Sequence, residues 1–550
     1  MNASCGLPSR PAPSGRAAHD RPARRVRPGG AGYRGAAVTP IRLFRGFATV
    51  GGWTLGSRLL GFLRDVMIAA TLGAGPAAQA FLIAFSLPNM FRRFFAEGAF
   101  NMAFIPLFAK KLEGGGDAHG FARDAFSALA ALLIVVTLLA QLAMPWLILG
   151  LAGGFLSDER FDMAVWFGRI AFPYILFISL AALLSGVLNT LGRFTAAAAA
   201  PVLLNVLFIG AMLLAGLMGW PVGDALAWAV PVAGVAQFAL VWVAASRAGF
   251  RLLPRRPRIT PEMRRLAVIA APAMLAGGVV QVNLIVGRQV ASFFDGAIAW
   301  LSYADRLYQL PLGVVGIAIG VVLLPDLARR LRAEDTVGGR QSFNRAAEFA
   351  LALTVPAAVA LVVIAEPLVA VLFQRGAFGP ADTAATALAV AVYGLGLPAF
   401  VLQKVLQPLY FAREDTRSPL RFALWAMAVN AVLAVGLAPF IGYIAAAIGT
   451  TVAGWAMVWQ LWAGSRGMGD ASRTDERLRS RLPRIALAAL GMGAVLLVVA
   501  PLLAPLLAVS GLRWLALGLL VALGLGAYGA LGLAIGAFRI PELRAAFARR

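Results

Sequence analysis

Charged side chains stand inside stretches that otherwise suit hydrocarbon. Ser57 to Lys111 reads SRLLGFLRDVMIAATLGAGPAAQAFLIAFSLPNMFRRFFAEGAFNMAFIPLFAKK and carries Arg58, Arg64, Asp65, Arg92, Arg93 and Glu97, and a later apolar run carries Asp305 beside Arg306. A charge near the bilayer centre costs roughly 2.5–3.5 kcal/mol on insertion scales, so these groups must face protein, water or a ligand. The chemistry open to them is non-covalent: arginines lining a polar cavity can replace the water around an anion. Each also has a structural reading. Arg93 and Glu97 are four apart and can pair along one helix face, Arg58 and Asp65 are two turns apart, and Arg64 adjoins Asp65. Asp65, Arg93, Glu97 and Asp305 are therefore candidates for gating or structural ion pairs.

The elements that must position these groups are membrane helices. The chain has 550 residues, 60% hydrophobic and 13% charged, with a mean hydropathy of +0.80. That composition excludes a soluble enzyme and fits a polytopic bundle. Apolar runs long enough to span recur throughout, and about fourteen spans are expected at roughly twenty residues each. The net charge of +24 would suggest nucleic acid in a soluble protein. Here most arginines fall in short loops between spans, so no nucleic-acid partner is expected. The single cysteine, Cys5, excludes internal disulfides, and His19 and His119 lie outside the spans, so no metal centre is expected.

Residues 1–40 are rich in Arg, Pro and Gly without an apolar segment, which predicts a disordered basic extension and no signal peptide. Beyond it the loops alternate in charge. One set holds Lys110, Lys111, Arg193, Arg251 to Arg258, Arg329 to Arg332, Arg413, Arg417 and Arg473 to Arg484; the other has chiefly Arg160, Arg375 and Arg513 beside several acids. The positive-inside rule then places both termini in the cytoplasm. The chain also repeats itself: LGAGPAAQAFLIAFSLPNMFRR with FIPLFAKKLEGG recurs in outline as FFDGAIAWLSYADRLYQLPLG with LLPDLARRLRAE. Parallel halves of about six helices are a transporter architecture with the substrate site between them. The expected organisation is an N-lobe over 41–250, a C-lobe over 251–466, and over 467–550 two extra helices with the C-terminal tail. Pro88, Pro173 and Pro311 fall inside spans and predict bends.

SRLLGFLRD, LPNMFRRFFAEGAF, FPYILFISL, SYADRL and KVLQPLYFAREDTRSP resemble the MurJ (MviN) family of lipid II flippases, from about Ile41 to the C-terminus. The resemblance implies an all-α integral membrane fold of the MOP exporter superfamily, MATE-like, with the last two helices forming a groove toward the membrane. It implies a transporter and not an enzyme. It implies as substrate undecaprenyl pyrophosphate bearing the disaccharide-pentapeptide of peptidoglycan, flipped across the bacterial inner membrane by alternating access for cell wall biosynthesis. The family's functional arginines match Arg58, Arg64, Arg92 and Arg306, and an arginine fork suits a diphosphate. Gln79 and Gln309 stand where Asp and Glu are common in relatives. No cofactor is expected; membrane potential, sodium or protons could drive the cycle, and membrane lipids and cell wall synthesis proteins are the other partners. The alternatives are a flippase for another polyprenyl-linked saccharide, a multidrug exporter of the superfamily, which needs an acidic cavity, and a scaffold pseudo-transporter. Lys404 sits in an apolar run and either lines the cavity or snorkels to the cytoplasmic edge, the second being the preferred reading; Arg169 and Arg288 could be read as cavity residues, the resemblance gives them no role, and Arg169 is near enough to a span end to snorkel.

Overall fold

The computed structural model describes residues 40–93, 99–318, 326, 329–330, 333 and 335–539. Glu97 and the expected basic extension lie outside them, except for Pro40. Among the described residues every regular element is helical. The described residues from 46 onward form one compact unit, and of the preceding residues only the start of the first helix is described.

The first-half helices are α1 (Pro40–Leu72), α2 (Pro76–Arg92), α3 (Ala99–Glu113), α4 (Ala118–Leu151), α5 (Glu159–Ala171), α6 (Tyr174–Thr190), α7 (Thr195–Met218) and α8 (Val222–Arg247). The second half has α9 (Pro261–Ala291), α10 (Ala297–Ala318), α11 (Thr336–Val363), α12 (Ala365–Phe373), α13 (Pro380–Phe411), α14 (Arg417–Ile441) and α15 (Ile444–Ser465). Then follow α16 (Glu476–Ala508) and α17 (Arg513–Ala534). Polar loop residues start several of them. Asp117 accepts from Gly120 N at 2.7 Å, Asp158 from Arg160 N at 2.8 Å and Asp475 from Leu478 N at 2.7 Å. Each such cap is worth about 1 kcal/mol. Pro173 marks a real break, since α5 ends at Ala171 and α6 begins at Tyr174.

Ten described helical segments are long and apolar enough to cross a membrane, so the expected fourteen is not established by that criterion. The helices outside the ten are informative. α2 has only 17 residues, while α1 and α10 interrupt their apolar runs with Arg58, Arg64 and Asp65, and with Asp305 and Arg306. Burial differs along the bundle: 67% of the most apolar window of 159–190 is buried and only 17% of that of 417–441. The former therefore crosses the interior, and α14 turns its leucines and valines to lipid. The last two helices dock on the second half. Tyr528 Oη donates to Ala352 O at 2.7 Å, and Glu348 on α11 gathers Arg345, Arg477 and Arg481 around its carboxylate.

Candidate functional site

The charged residues of α1 and α10 meet across the two halves. Arg64 is buried, and each of its donor nitrogens is occupied: Nε and Nη2 bond Asp65 Oδ1 at 2.9 and 2.7 Å, and Nη1 bonds Asn205 Oδ1 on α7 at 2.9 Å. Asn205 Nδ2 in turn donates to Ser57 O at 2.9 Å. The other oxygen of Asp65 takes Arg306 Nε from α10 at 3.0 Å. One buried carboxylate thus holds an arginine from each half. The side chain of Arg306 keeps 45% of its surface exposed, so it stays reachable while paired.

The remaining expected residues stand around this link. Arg58 is exposed and reaches toward α10, its Nη1 2.5 Å from where a Cβ on Gly313 would lie; no side chain other than hydrogen fits at Gly313 without moving it. Arg92 lines a cavity with Arg64. Asp305 accepts from Gln309 and sits among the charges of Arg306, Arg288 and Arg93. Arg93, whose expected partner Glu97 lies outside the described residues, is within electrostatic range of this acid of the other half. Arg288, readable from the sequence as a cavity residue, belongs to the same group.

The cavity has a volume of about 400 Å³ and lies among α1, α2, α3, α6, α7 and α8. Its charged lining residues are Arg64 and Arg92, and the rest of its polar wall is neutral: Asn89, Asn101, Ser185, Asn189, Asn205 and Gln237 contribute. Asn101 Oδ1 is buried there without a hydrogen-bond donor from the protein, at a cost of about 1–3 kcal/mol. Sequence reasoning missed these amides. The signal was available, because each is a lone amide or hydroxyl in an apolar run. What such a cavity can do is hold a hydrated, hydroxyl- or amide-rich group beside an anion.

The ends of the halves bearing the cation-poor loops are sealed against each other. Ala377 N donates to Ala70 O at 2.8 Å, Tyr303 Oη to Gly73 O at 2.9 Å, Gly153 N to Gln289 Oε1 at 2.9 Å and Gly154 N to Ser292 Oγ at 2.9 Å. Gly73 and Gly376 have φ of +58° and +57°, a region in which only glycine is free of strain. Arg160 pins the seal from its centre. It bonds Asp158 in its own half, Asp295 in the other at 3.0 Å and Gln79 Oε1 at 3.2 Å, and its guanidinium lies 4.5 Å from the Phe155 ring centre. Gln79 thus serves as an acceptor, and two aspartates carry the charge. At the opposite end Lys111 meets Glu262 at 2.6 Å with both side chains partly exposed, a type of contact worth at most about 1 kcal/mol.

Hydrogen bonds from Arg160 hold the Asp158 carboxyl below its usual 3.8. A depressed folded value means that the pin contributes fully above 3.8 and is lost as pH falls through the lower folded value. Spin labels at Leu156 and Phe293, which flank the seal, should report one short distance from about pH 8 to pH 5 and separate only below pH 3.8. Asp158→Asn should loosen the seal at neutral pH.

The family model for lipid II flippase MurJ matches residues 68–517. A Rhizobium meliloti (strain 1021) protein named probable lipid II flippase MurJ is 47% identical over 514 residues, covering 92% of this chain and 96% of that one. The lipid II flippase MurJ of Burkholderia cenocepacia is 38% identical over 412 residues, 73% of this chain and 80% of its own. Among solved structures, a lipid II flippase MurJ in an inward closed conformation aligns with a TM-score of 0.74 at 24% identity, over 88% of this chain and 97% of that one. An inward-facing MATE family transporter of the MOP superfamily aligns with a TM-score of 0.62 at 12% identity, over 76% and 96%. These two likenesses establish the fold.

Proposed function

Because this chain belongs to the lipid II flippase MurJ family, we propose that it flips lipid II from the inner to the outer leaflet of a bacterial cytoplasmic membrane by alternating access. The observation that carries the mechanism is Asp65 held between Arg64 and Arg306 beside a cavity whose charged lining is Arg64 and Arg92. With the cation-rich loops in the cytoplasm, both termini are cytoplasmic and the sealed end faces outward. The headgroup then enters from the inside. Its diphosphate competes with Asp65 for the guanidinium of Arg306 and meets Arg58 and Arg92, while its saccharide and peptide take the neutral amides. Arginine forks replace phosphate hydration bidentately, and the prenyl chain stays in the lipid.

Release follows when the halves rock, the outer seal parts and Asp65 recaptures its arginines. The cationic empty carrier can be reset by the membrane potential, worth about 2.3 kcal/mol per charge per 100 mV, with sodium or protons as the coupled ion where one is used. An exporter of drug cations would need acids where this cavity has Arg64 and Arg92. The test is to replace a conditionally lethal flippase with this chain and measure outer-leaflet lipid II directly. The unmodified chain should rescue, and Arg58→Ala, Arg92→Ala and Arg306→Ala should each cut the outer-leaflet signal. Failure of the well-expressed unmodified chain would point to another substrate, while normal flipping by all three variants would remove the arginines from the path.

A further inference from the structure

Two arginines at the cation-poor end take no part in this route. Arg375, after α12, and Arg513, which opens α17, converge on the C-terminus of α12. Arg375 Nη2 donates to Val371 O at 2.6 Å and Leu372 O at 2.9 Å, and Arg513 Nη1 donates to Gln374 O at 3.4 Å. Arg160, the third cation of that end, sits between two carboxylates; among the described residues neither Arg375 nor Arg513 has one. The Nε of each is buried without a protein acceptor. Burial and the neighbouring charge of Arg513 lower the pKa of Arg375. A helix C-terminus supplies only about half a negative charge, too little to balance two guanidinium groups.

An apolar groove of about 590 Å³ opens beside them between α12 and α16. Pro367, Ala370, Leu497, Ala504 and Leu507 form its walls, with Arg513 at one margin and Glu366 also lining it. Filling it with water would take on the order of twenty molecules at about 30 Å³ each, and such walls offer them few partners. Trp514, whose ring centre lies 5.3 Å from the Arg375 guanidinium, adds the aromatic typical of a membrane interface.

We propose that this groove binds a phospholipid of the leaflet on that side, its phosphodiester held by Arg375 and Arg513 and its acyl chain laid between α12 and α16. The charges fit this occupant: two guanidinium groups at the end of α12 match the phosphate of a phospholipid head.

The full chain, purified in mild detergent, would be titrated by native mass spectrometry with phosphatidylethanolamine, phosphatidylglycerol and diacylglycerol of the same chains, and with inorganic diphosphate. One phospholipid, phosphatidylethanolamine or phosphatidylglycerol, should be retained, and diacylglycerol and diphosphate not at all. Arg375→Gln with Arg513→Gln should weaken retention at least about tenfold. Ala504→Trp, which fills the groove and leaves both arginines and the α12 end in place, should do the same and decides the matter if the double variant does not fold. Equal retention by the unmodified chain and Ala504→Trp would overturn the proposal, as would diacylglycerol binding as well as the phospholipids. A double variant that loses thermal stability but keeps its lipid would leave the arginines as helix caps only. Displacement by inorganic diphosphate would make this a soluble-anion site and equally overturn it.

Discussion

Arg64→Ala should abolish rescue of flippase-depleted cells and cut flipping on the order of a hundredfold or more. Arg64 is buried and supplies two hydrogen bonds to Asp65 and one to Asn205, so its removal leaves a buried carboxylate and a buried amide oxygen short of donors. Breaking such a pair costs about 3–5 kcal/mol, equivalent to more than a hundredfold in an equilibrium. Arg64→Lys should fall between, because a single ammonium cannot span both Asp65 and Asn205 as the planar fork does. Asp65→Asn removes the charge that holds Arg64 and Arg306 together and should also stop turnover, with the two cations repelling. Circular dichroism and lipid II binding by the purified variants separate a folding defect from a transport defect. A folded Arg64→Ala protein that binds and flips at the normal rate would end the assignment.

Gly73→Val and Gly376→Val should each shift the protein away from the sealed state and depress flipping at least about tenfold. A left-handed backbone costs roughly 1–2 kcal/mol for any residue with a Cβ. At Gly73 the added Cβ would also lie 2.5 Å from Ala377 O, the carbonyl of the residue whose amide bonds Ala70. At Gly376 it would overlap Ala70 O. Each substitution therefore pushes apart the very strands of chain that meet, and a loss of about 1.4 kcal/mol already changes the closed-to-open ratio tenfold. Spin labels at Leu156 and Phe293 should report the longer distance in both variants. Gly219→Ala is the control, since that residue has φ of +70° with nothing within 4 Å of the added Cβ. It should cost stability without altering the distance. An unchanged distance in Gly73→Val would show that the contact is not what closes this end.

Much of this was legible in the residues before any coordinates. Charges that lipid cannot tolerate marked α1, α2 and α10 as interior helices, and Pro173 marked a break. Arg64 with Asp65 was legible from their adjacency and is formed; the pairings that depend on distant chain were not. Asp65 finds Arg306 and Arg64 finds Asn205 only once α10 and α7 pack against α1. Spacing along one helix suggested Arg58 with Asp65; packing instead sets Arg58 beside Gly313. The neutral amides of the cavity were missed for a related reason. A lone Asn or Gln in an apolar run reads as a helix contact as readily as a lining residue, and only the convergence of Asn101, Asn189, Asn205 and Gln237 distinguishes them.

The bond from Ala377 N to Ala70 O joins two peptide groups, and the Gly73 carbonyl is likewise a main-chain partner of Tyr303. That peptide-to-peptide bond has no ionisation to lose, so the pH-dependent part of the seal rests on Arg160 and its two aspartates. The residues at 70 and 377 thus contribute main-chain atoms that any non-proline residue also carries, whereas the positive φ of Gly73 and Gly376 ties those two positions to glycine.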